Sequence, residues 1–295
     1  MAARSPLELF NAASHRAAAG IIGEYSSSFS LATALLHPSI RADIRNLYAM
    51  VRIADEIVDG AAAGAGLHPT EIAAVLDDYE QAVLSAPQRH FDPNPVLHAY
   101  GRSARRCGFA PEHVRAFFAS MRSDVPTADQ PSTDLRTYVY GSAEVIGLLC
   151  LAVFFADQPR PANFPELEAG ARRLGAAFQN INFLRDLGAD TQELGREYLS
   201  GTQETLDEDA KRQIIAGIRA DLGAAYAMIG ELPLSSRAGV LAAADLFSEL
   251  TDKLEATPAR QLYLCRVRVS QPRKAVIAAR ALARARRRSL RGGLS

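Results

Sequence analysis

Two short acidic stretches, about 130 residues apart, hold the side chains with the clearest chemistry. The first is Arg52-Ile53-Ala54-Asp55-Glu56-Ile57-Val58-Asp59, and the second is Gln179-Asn180-Ile181-Asn182-Phe183-Leu184-Arg185-Asp186-Leu187-Gly188-Ala189-Asp190. Each sets two aspartates at i and i+4 inside an otherwise apolar helical pattern. On a helix such side chains lie one above the other on one face. Like charges there repel and weaken the helix, and a cation between them reverses the sign of that effect. Hard divalent ions such as Mg²⁺ take oxygen ligands, commonly one or two carboxylates plus substrate phosphates and water. Two such helices facing each other would make a cavity with four carboxylates. That cavity suits a polyanion carried by metal, and diphosphate is the obvious candidate.

The two stretches differ in information content. Asp and Glu at i, i+1 and i+4 also occur on ordinary solvated helix faces, so the first stretch alone is weak. In the second, Gln179, Asn182, Asp186 and Asp190 form one stripe at spacings of three and four, flanked by Phe178, Ile181, Phe183, Leu184 and Leu187. A helix apolar nearly all round is buried. A buried stripe of amides and carboxylates must then be satisfied by protein partners or by metal. Arg52 precedes Asp55 by three residues and Arg185 directly precedes Asp186. Arginine's planar fork suits phosphate, or simply pairs with the neighbouring carboxylates. Tyr48 lies on the same helical face as Asp55, and Tyr140 and Glu144 are an i, i+4 pair on a long apolar helix.

The elements that must position these residues read as helices. Alanine, leucine and arginine dominate and strand-like alternation is scarce. The pattern predicts a first helix from Ser5-Pro6 to about Gly23, then Tyr25 to Ser30 as a polar loop or helix start. A helix from Pro38 through Asp59 follows, then a loop from Gly60 to Pro69 and a helix to Ser85. Further helices are expected over 95–107, 111–123, 133–156, 165–187, 207–229 and 235–255. Loops are expected at 125–132 and 194–206, and an arginine-rich helix follows Pro272. No linker stands out, so residues 1–295 are expected to form one domain with a basic tail from about residue 273.

Composition sets further bounds. Of 295 residues, 48% are hydrophobic and 22% charged, enough for a substantial core. Net charge is zero, which gives no global attraction to nucleic acid. Three cysteines without close spacing argue for a reducing compartment, against a disulfide framework and against a zinc site. No glycine-rich dinucleotide fingerprint follows a strand. The longest apolar run, Val145 to Ala156, is 12 residues, short of the ~18 a membrane span needs. A cytoplasmic protein is expected. The tail Arg273 to Arg291 interleaves Arg and Lys with Val276, Ile277 and Leu282, a composition suited to peripheral contact with an anionic membrane or to a solvated last helix.

Several linked segments carry a resemblance. They are Phe29-Ser30, Tyr48-Ala49-Met50-Val51-Arg52 leading into Asp55 to Asp59, Tyr138-Val139-Tyr140-Gly141-Ser142-Ala143, and Asn182 to Asp190 followed by Gly195-Arg196-Glu197-Tyr198-Leu199. Their order and spacing resemble the squalene/phytoene synthase family over nearly the whole chain, most of all its bacterial, actinobacterial-type phytoene synthases. The resemblance implies an all-α isoprenoid synthase fold, a single helical bundle around a central hydrophobic channel. It implies head-to-head condensation of two geranylgeranyl diphosphates to phytoene through a cyclopropyl diphosphate, in carotenoid biosynthesis. Farnesyl diphosphate, giving squalene or dehydrosqualene, is the alternative substrate. A non-catalytic assembly factor of the same fold is a further alternative, though such proteins tend to lose the metal aspartates.

By the same resemblance Asp55, Asp59, Asp186 and Asp190 are metal-binding and catalytic, with Asn182 beside the second metal site. Arg52, Arg185, Arg196, Gln179 and Asn182 contact diphosphate, and Tyr48 and Tyr140 lie near the reacting carbons. Mg²⁺, with Mn²⁺ as a substitute, is the expected cofactor, and no NADPH is expected for phytoene formation. Two departures stand out. Glu144 occupies a position where the family usually has glycine, and Phe247 falls where many members carry an aromatic hydroxyl.

Overall fold

Proline sets helix starts throughout the first half of the chain. Five helices there begin on one: α1 (Pro6–Tyr25), α3 (Pro38–Val58), α5 (Pro69–Ser85), α6 (Pro95–Cys107) and α7 (Pro111–Arg122). The ring fixes φ near the helical value, and its missing N–H is one of the unpaired donors of a first turn. Ser5 and Glu8 close a capping box on α1, Asn94 caps α6 through Val96 N and Leu97 N, and Gly108 ends α6 in the left-handed conformation. The computed structural model describes residues 4–125, 134–189 and 206–292, and every regular element among them is helical. The remaining elements are α2 (Ser27–Ala34), α4 (Ala61–Gly64), α8 (Leu135–Val139), α9 (Val145–Phe154), α10 (Phe164–Ala189), α11 (Glu208–Ile229), α12 (Leu234–Ala256), α13 (Ala259–Leu262) and α14 (Gln271–Gly292).

The chain divides into two compact units, Met1–Arg160 and Pro161–Ser295. In the first, α3 is the central element. Leu47, Met50, Ala54 and Val58 recur at spacings of three and four and bury against α5, α7 and α9, with Leu76, Phe117, Phe118 and Leu149. Its polar side faces α1 and α6. There buried Asp43 accepts from Ser103 Oγ (2.6 Å) and Arg106 (2.6 Å), and buried Asn46 bonds Ser103 (2.9 Å) and His15. The network satisfies groups that would otherwise cost ~1–3 kcal/mol each, and it fixes α3 against its neighbours.

Three local features refine the sequence expectation. Tyr25 to Ser30 is a helix junction in which Ser26 ends α1 and caps α2, its Oγ accepting from Phe29 N at 3.2 Å. The predicted loop after Asp59 contains the single turn α4. The expected helix over 133–156 is one run from Leu135 to Phe154, interrupted by a π-helical turn at Tyr140–Glu144. By length and composition this 20-residue run is apolar enough to cross a bilayer, with a mean hydropathy of 1.6 over its best window. Val145, Leu149 and Val153 nevertheless sit in the core of the first unit.

In the second unit α10 packs on α11 and α12, and α12 also carries α14. Ile277, Ala278, Ala281 and Ala285 are buried on the face of α14 that meets α12. Arg284 pairs with Asp245 (2.8 Å) and Arg273 with Glu249 (2.7 Å). The apolar stripe, suited by composition to membrane contact or to a last helix of the bundle, is thus used inside the protein. Lys211, itself buried, donates to the carbonyls of Glu255 (3.2 Å) and Thr257 (2.6 Å) at the end of α12. The expected loop over 194–206 lies almost wholly outside the described residues, as does that over 125–132.

Candidate active site

The first acidic stretch occupies the last turn of α3. Asp55 and Glu56 lie within it, and Asp59 is the C-cap, its N–H bonding the Asp55 carbonyl at 2.7 Å. The helix therefore ends one residue earlier than expected, and Asp59 joins the stripe as a cap rather than as a helical residue. The C-terminal end of a helix carries partial negative charge. Three carboxylates there oppose the helix dipole and one another, an arrangement of poor stability that a cation would relieve.

The electrostatics agree. The Asp55 carboxyl is pushed up to about 8, first by burial and then by the charge of Asp59, with Arg52 opposing and Asp124 adding to the rise. Arg52 bonds Glu56, lies 3.8 Å from Asp55, and stacks over the Tyr25 ring with 4.3 Å to its centroid. Its Nε is buried without a hydrogen-bond partner. Tyr48, one face-turn before, is half-buried beside Phe29 (6.2 Å between ring centres), and burial raises its hydroxyl pKa.

Asp124 and Tyr138 were not singled out by spacing. Both are buried, and the Tyr138 hydroxyl donates to Asp124 Oδ2 at 2.7 Å. Directly after Tyr138, Tyr140 and Glu144 open and close the π-turn, where Val145 N–H bonds back to the Tyr140 carbonyl. Such turns occur mostly as single-turn bulges and frequently at functional sites. A Cβ on Gly141 would collide with Ser120 Oγ and the Ala116 carbonyl, so glycine lets α7 lie directly on this turn. Ser120 Oγ also donates to the Tyr138 carbonyl at 3.2 Å.

The second stretch belongs to the other unit. Gln179, Asn182 and Asp186 are half-buried along α10, and Ile181, Phe183, Leu184 and Leu187 are buried around them. Asp186 is gripped by two guanidinium groups. Arg185 Nε donates to Oδ1 (2.9 Å), and Arg266 Nε reaches the same oxygen at 2.7 Å. Arg266 was not among the residues singled out from sequence. Its reach follows from Gly188, where a Cβ would strike the Tyr263 carbonyl, so the segment before Arg266 runs against the last turn of α10. Buried Lys274 adds to this positive region; burial lowers its pKa first, then the charges of Arg185 and Arg268. Phe178 lies four residues before Asn182 and stacks on Phe247, with ring centres 3.9 Å apart and 22° between planes. Asp190 and Arg196 lie outside the described residues.

Do these residues fit a hard divalent ion? The donors are all oxygen, and the buried Oδ1 of Asn182 has no hydrogen-bond partner. That lone pair can accept a metal ion. Among the described residues no three carboxylate, histidine or cysteine side chains converge as a self-sufficient metal cage. Mg²⁺ commonly completes its shell with phosphate and water rather than with a protein cage, so the donor set fits.

Comparisons with known proteins identify the family. A 15-cis-phytoene synthase of Paracoccus sp. is 32% identical over 195 residues, covering 65% of this chain and 60% of that protein. Phytoene synthase 2 of Solanum lycopersicum is 28% identical over 272 residues, 86% of this chain and 85% of the relative. With several of these relatives the match spans only about 40 to 60% of their length. A dehydrosqualene synthase crystal structure superposes with a TM-score of 0.74 at 20% identity, covering 94% of this chain and 98% of that one, and so shares its all-α isoprenoid synthase fold. The sequence profile of squalene/phytoene synthase matches residues 22–274, and the chain belongs to that family.

Proposed function

We propose that this protein is a prenyltransferase that condenses two geranylgeranyl diphosphates head to head to give phytoene, with both acidic stretches serving that one reaction. The observation that carries the reading is the pairing, in each stretch, of oxygen-only metal donors with arginine: Arg52 on Asp55 and Glu56, Arg185 and Arg266 on Asp186. Family membership and the phytoene synthase relatives support it.

Mg²⁺ or Mn²⁺ ions, held in the first stretch by Asp55 and Asp59 and in the second by Asn182, Asp186 and Asp190, would supply electrostatic stabilisation of the departing diphosphate. The protein's own groups do the rest. Arg52, Arg185, Arg196 and Gln179 bind diphosphate oxygens, Arg266 joins them, and their fixed donors favour the charge that develops on the leaving group. Tyr48 and Tyr140 offer aromatic faces to the carbocations, an attraction of ~0.5–2 kcal/mol. Glu144, one turn after Tyr140, shapes the second step, in which the cyclopropyl intermediate rearranges and loses a proton. Apolar side chains exclude the water that would quench the cations.

The substrate and product are long hydrocarbons, so exchange with a membrane surface is part of the proposal. With the apolar stripe of α14 turned onto α12, that contact is electrostatic, through exposed Arg280 and Arg286, each contributing ~1 kcal/mol near an anionic surface. Co-sedimentation with anionic vesicles should fall steeply with salt; binding that is absent at low salt removes this part.

Incubating the purified protein with Mg²⁺ and either farnesyl or geranylgeranyl diphosphate, then identifying the hydrocarbon, tests the main reading. Phytoene from the C20 substrate is expected. Product from farnesyl diphosphate alone would replace it with the squalene-type reaction, and no product from either would end it.

A further inference from the structure

The Arg52 guanidinium is held on one side by carboxylates and on the other by an aromatic ring. The carboxylate side is in part temporary under the proposed chemistry, since Asp55 would be committed to metal in the loaded state while Glu56 would stay. The ring side is not. Tyr25 is the last residue of α1, and its position is fixed by Ser26, whose N–H bonds the Ile22 carbonyl (3.1 Å) while its Oγ caps α2. Tyr25 is 50% exposed, so core packing does not account for an aromatic residue there. Its ring lies 4.3 Å from the Arg52 guanidinium carbon, inside the ~6 Å range of a cation–π contact. Arg52 meanwhile retains a buried Nε–H with no acceptor.

We infer that Tyr25 is a positioning residue, whose ring fixes the plane of the Arg52 guanidinium so that its donors are aligned for diphosphate before substrate arrives. The inference rests on the reading that Arg52 binds diphosphate. Arginine loses little freedom per hydrogen bond because its fork is planar, but that advantage holds only if the plane itself is set. A half-buried guanidinium that yields Asp55 to metal and keeps Glu56 needs a further support to set its plane, and the Tyr25 face supplies it.

Binding of inorganic diphosphate in the presence of Mg²⁺, followed by calorimetry, tests this without turnover. Tyr25→Phe keeps the ring and should hold wild-type affinity within twofold. Tyr25→Leu keeps an apolar side chain without the quadrupole and should weaken binding about three- to fivefold, the strength of an exposed cation–π contact. In turnover the same variant should raise KM by a similar factor with kcat unchanged. In an Arg52→Ala background, Tyr25→Leu should have no further effect. If Arg52→Ala weakens binding but Tyr25→Leu does not, the positioning role is wrong while the diphosphate reading stands. A Tyr25→Leu defect that persists without Arg52 also overturns it, as a general structural effect. If Arg52→Ala binds diphosphate like wild type, the reading of Arg52 fails and the positioning role fails with it. Thermal melting of each variant establishes that the fold is intact.

Discussion

Metal binding at the end of α3 should release a proton, and Asp55 should be its source. Burial and the Asp59 charge hold the Asp55 carboxyl near 8 against an ordinary 3.8. At pH 7 roughly one site in ten is then ionised without metal, so loading it with Mg²⁺ releases about 0.9 proton. Near pH 9 the release drops to about 0.1 proton, and apparent affinity should rise about tenfold per pH unit until pH 8 and then level. Calorimetric Mg²⁺ titrations in two buffers of different ionisation enthalpy count the protons directly. The same shift sets a stability slope. The folded pKa lies above the unfolded one, so the protonated form is the one the fold favours. Metal-free stability should therefore fall as pH rises from about 4 to about 8 and level above that. The slope approaches ~1.4 kcal/mol per pH unit, trimmed by water at the 27% of the side chain that is exposed. Asp55→Asn mimics the protonated form, so its melting temperature should pull ahead of wild type progressively across that window. Equal slopes for the two proteins, together with no proton release at pH 7, would refute the reasoning.

Three further outcomes are expected. Asp59→Ala or Asp186→Ala should abolish hydrocarbon formation while leaving far-UV circular dichroism unchanged; near-normal turnover in either would remove that residue from the metal site. Gly141→Ala should cost ~1–3 kcal/mol in chemical denaturation, because the new methyl has no room beside Ser120 and Ala116; a neutral result would mean that α7 can withdraw freely. Glu144→Gln should leave consumption of the first substrate intact but change the ratio of cyclopropyl intermediate to final hydrocarbon, read by chromatography. An unchanged ratio would assign Glu144 a structural part only.

The all-helical class was legible because prolines and small polar caps mark helix starts wherever they fall. The second acidic stretch was legible because polar groups at spacings of three and four interrupt an otherwise apolar helix. Other parts depend on contacts that one-dimensional spacing does not hold. Arg266 meets Asp186 across 80 residues, and only the close approach at Gly188 makes that possible. Asp124 reads as a loop acid until Tyr138 is seen to bond it. Asp59 sits one residue beyond the helix because Gly60, at φ 139°, turns the chain immediately afterwards. Tyr25 to Ser30 was ambiguous because a run of serines suits both loops and caps, and the bond from Phe29 N to Ser26 Oγ decides between them.

The π-turn at Tyr140–Glu144 also bears on how the sequence can change. A π-turn behaves as one extra residue in an α-helix. Deleting any one residue there would allow a regular helix to close, with better local hydrogen bonding than before. Yet each residue of an α-helix turns ~100° and rises 1.5 Å, so α9 would rotate by that amount against α8. Val145, Leu149 and Val153 would leave the core, and the apolar run would present a different face. The turn is therefore an insertion that local helix energetics would discard and tertiary packing retains. Relatives aligned to this chain should show their gaps before or after this segment rather than within it.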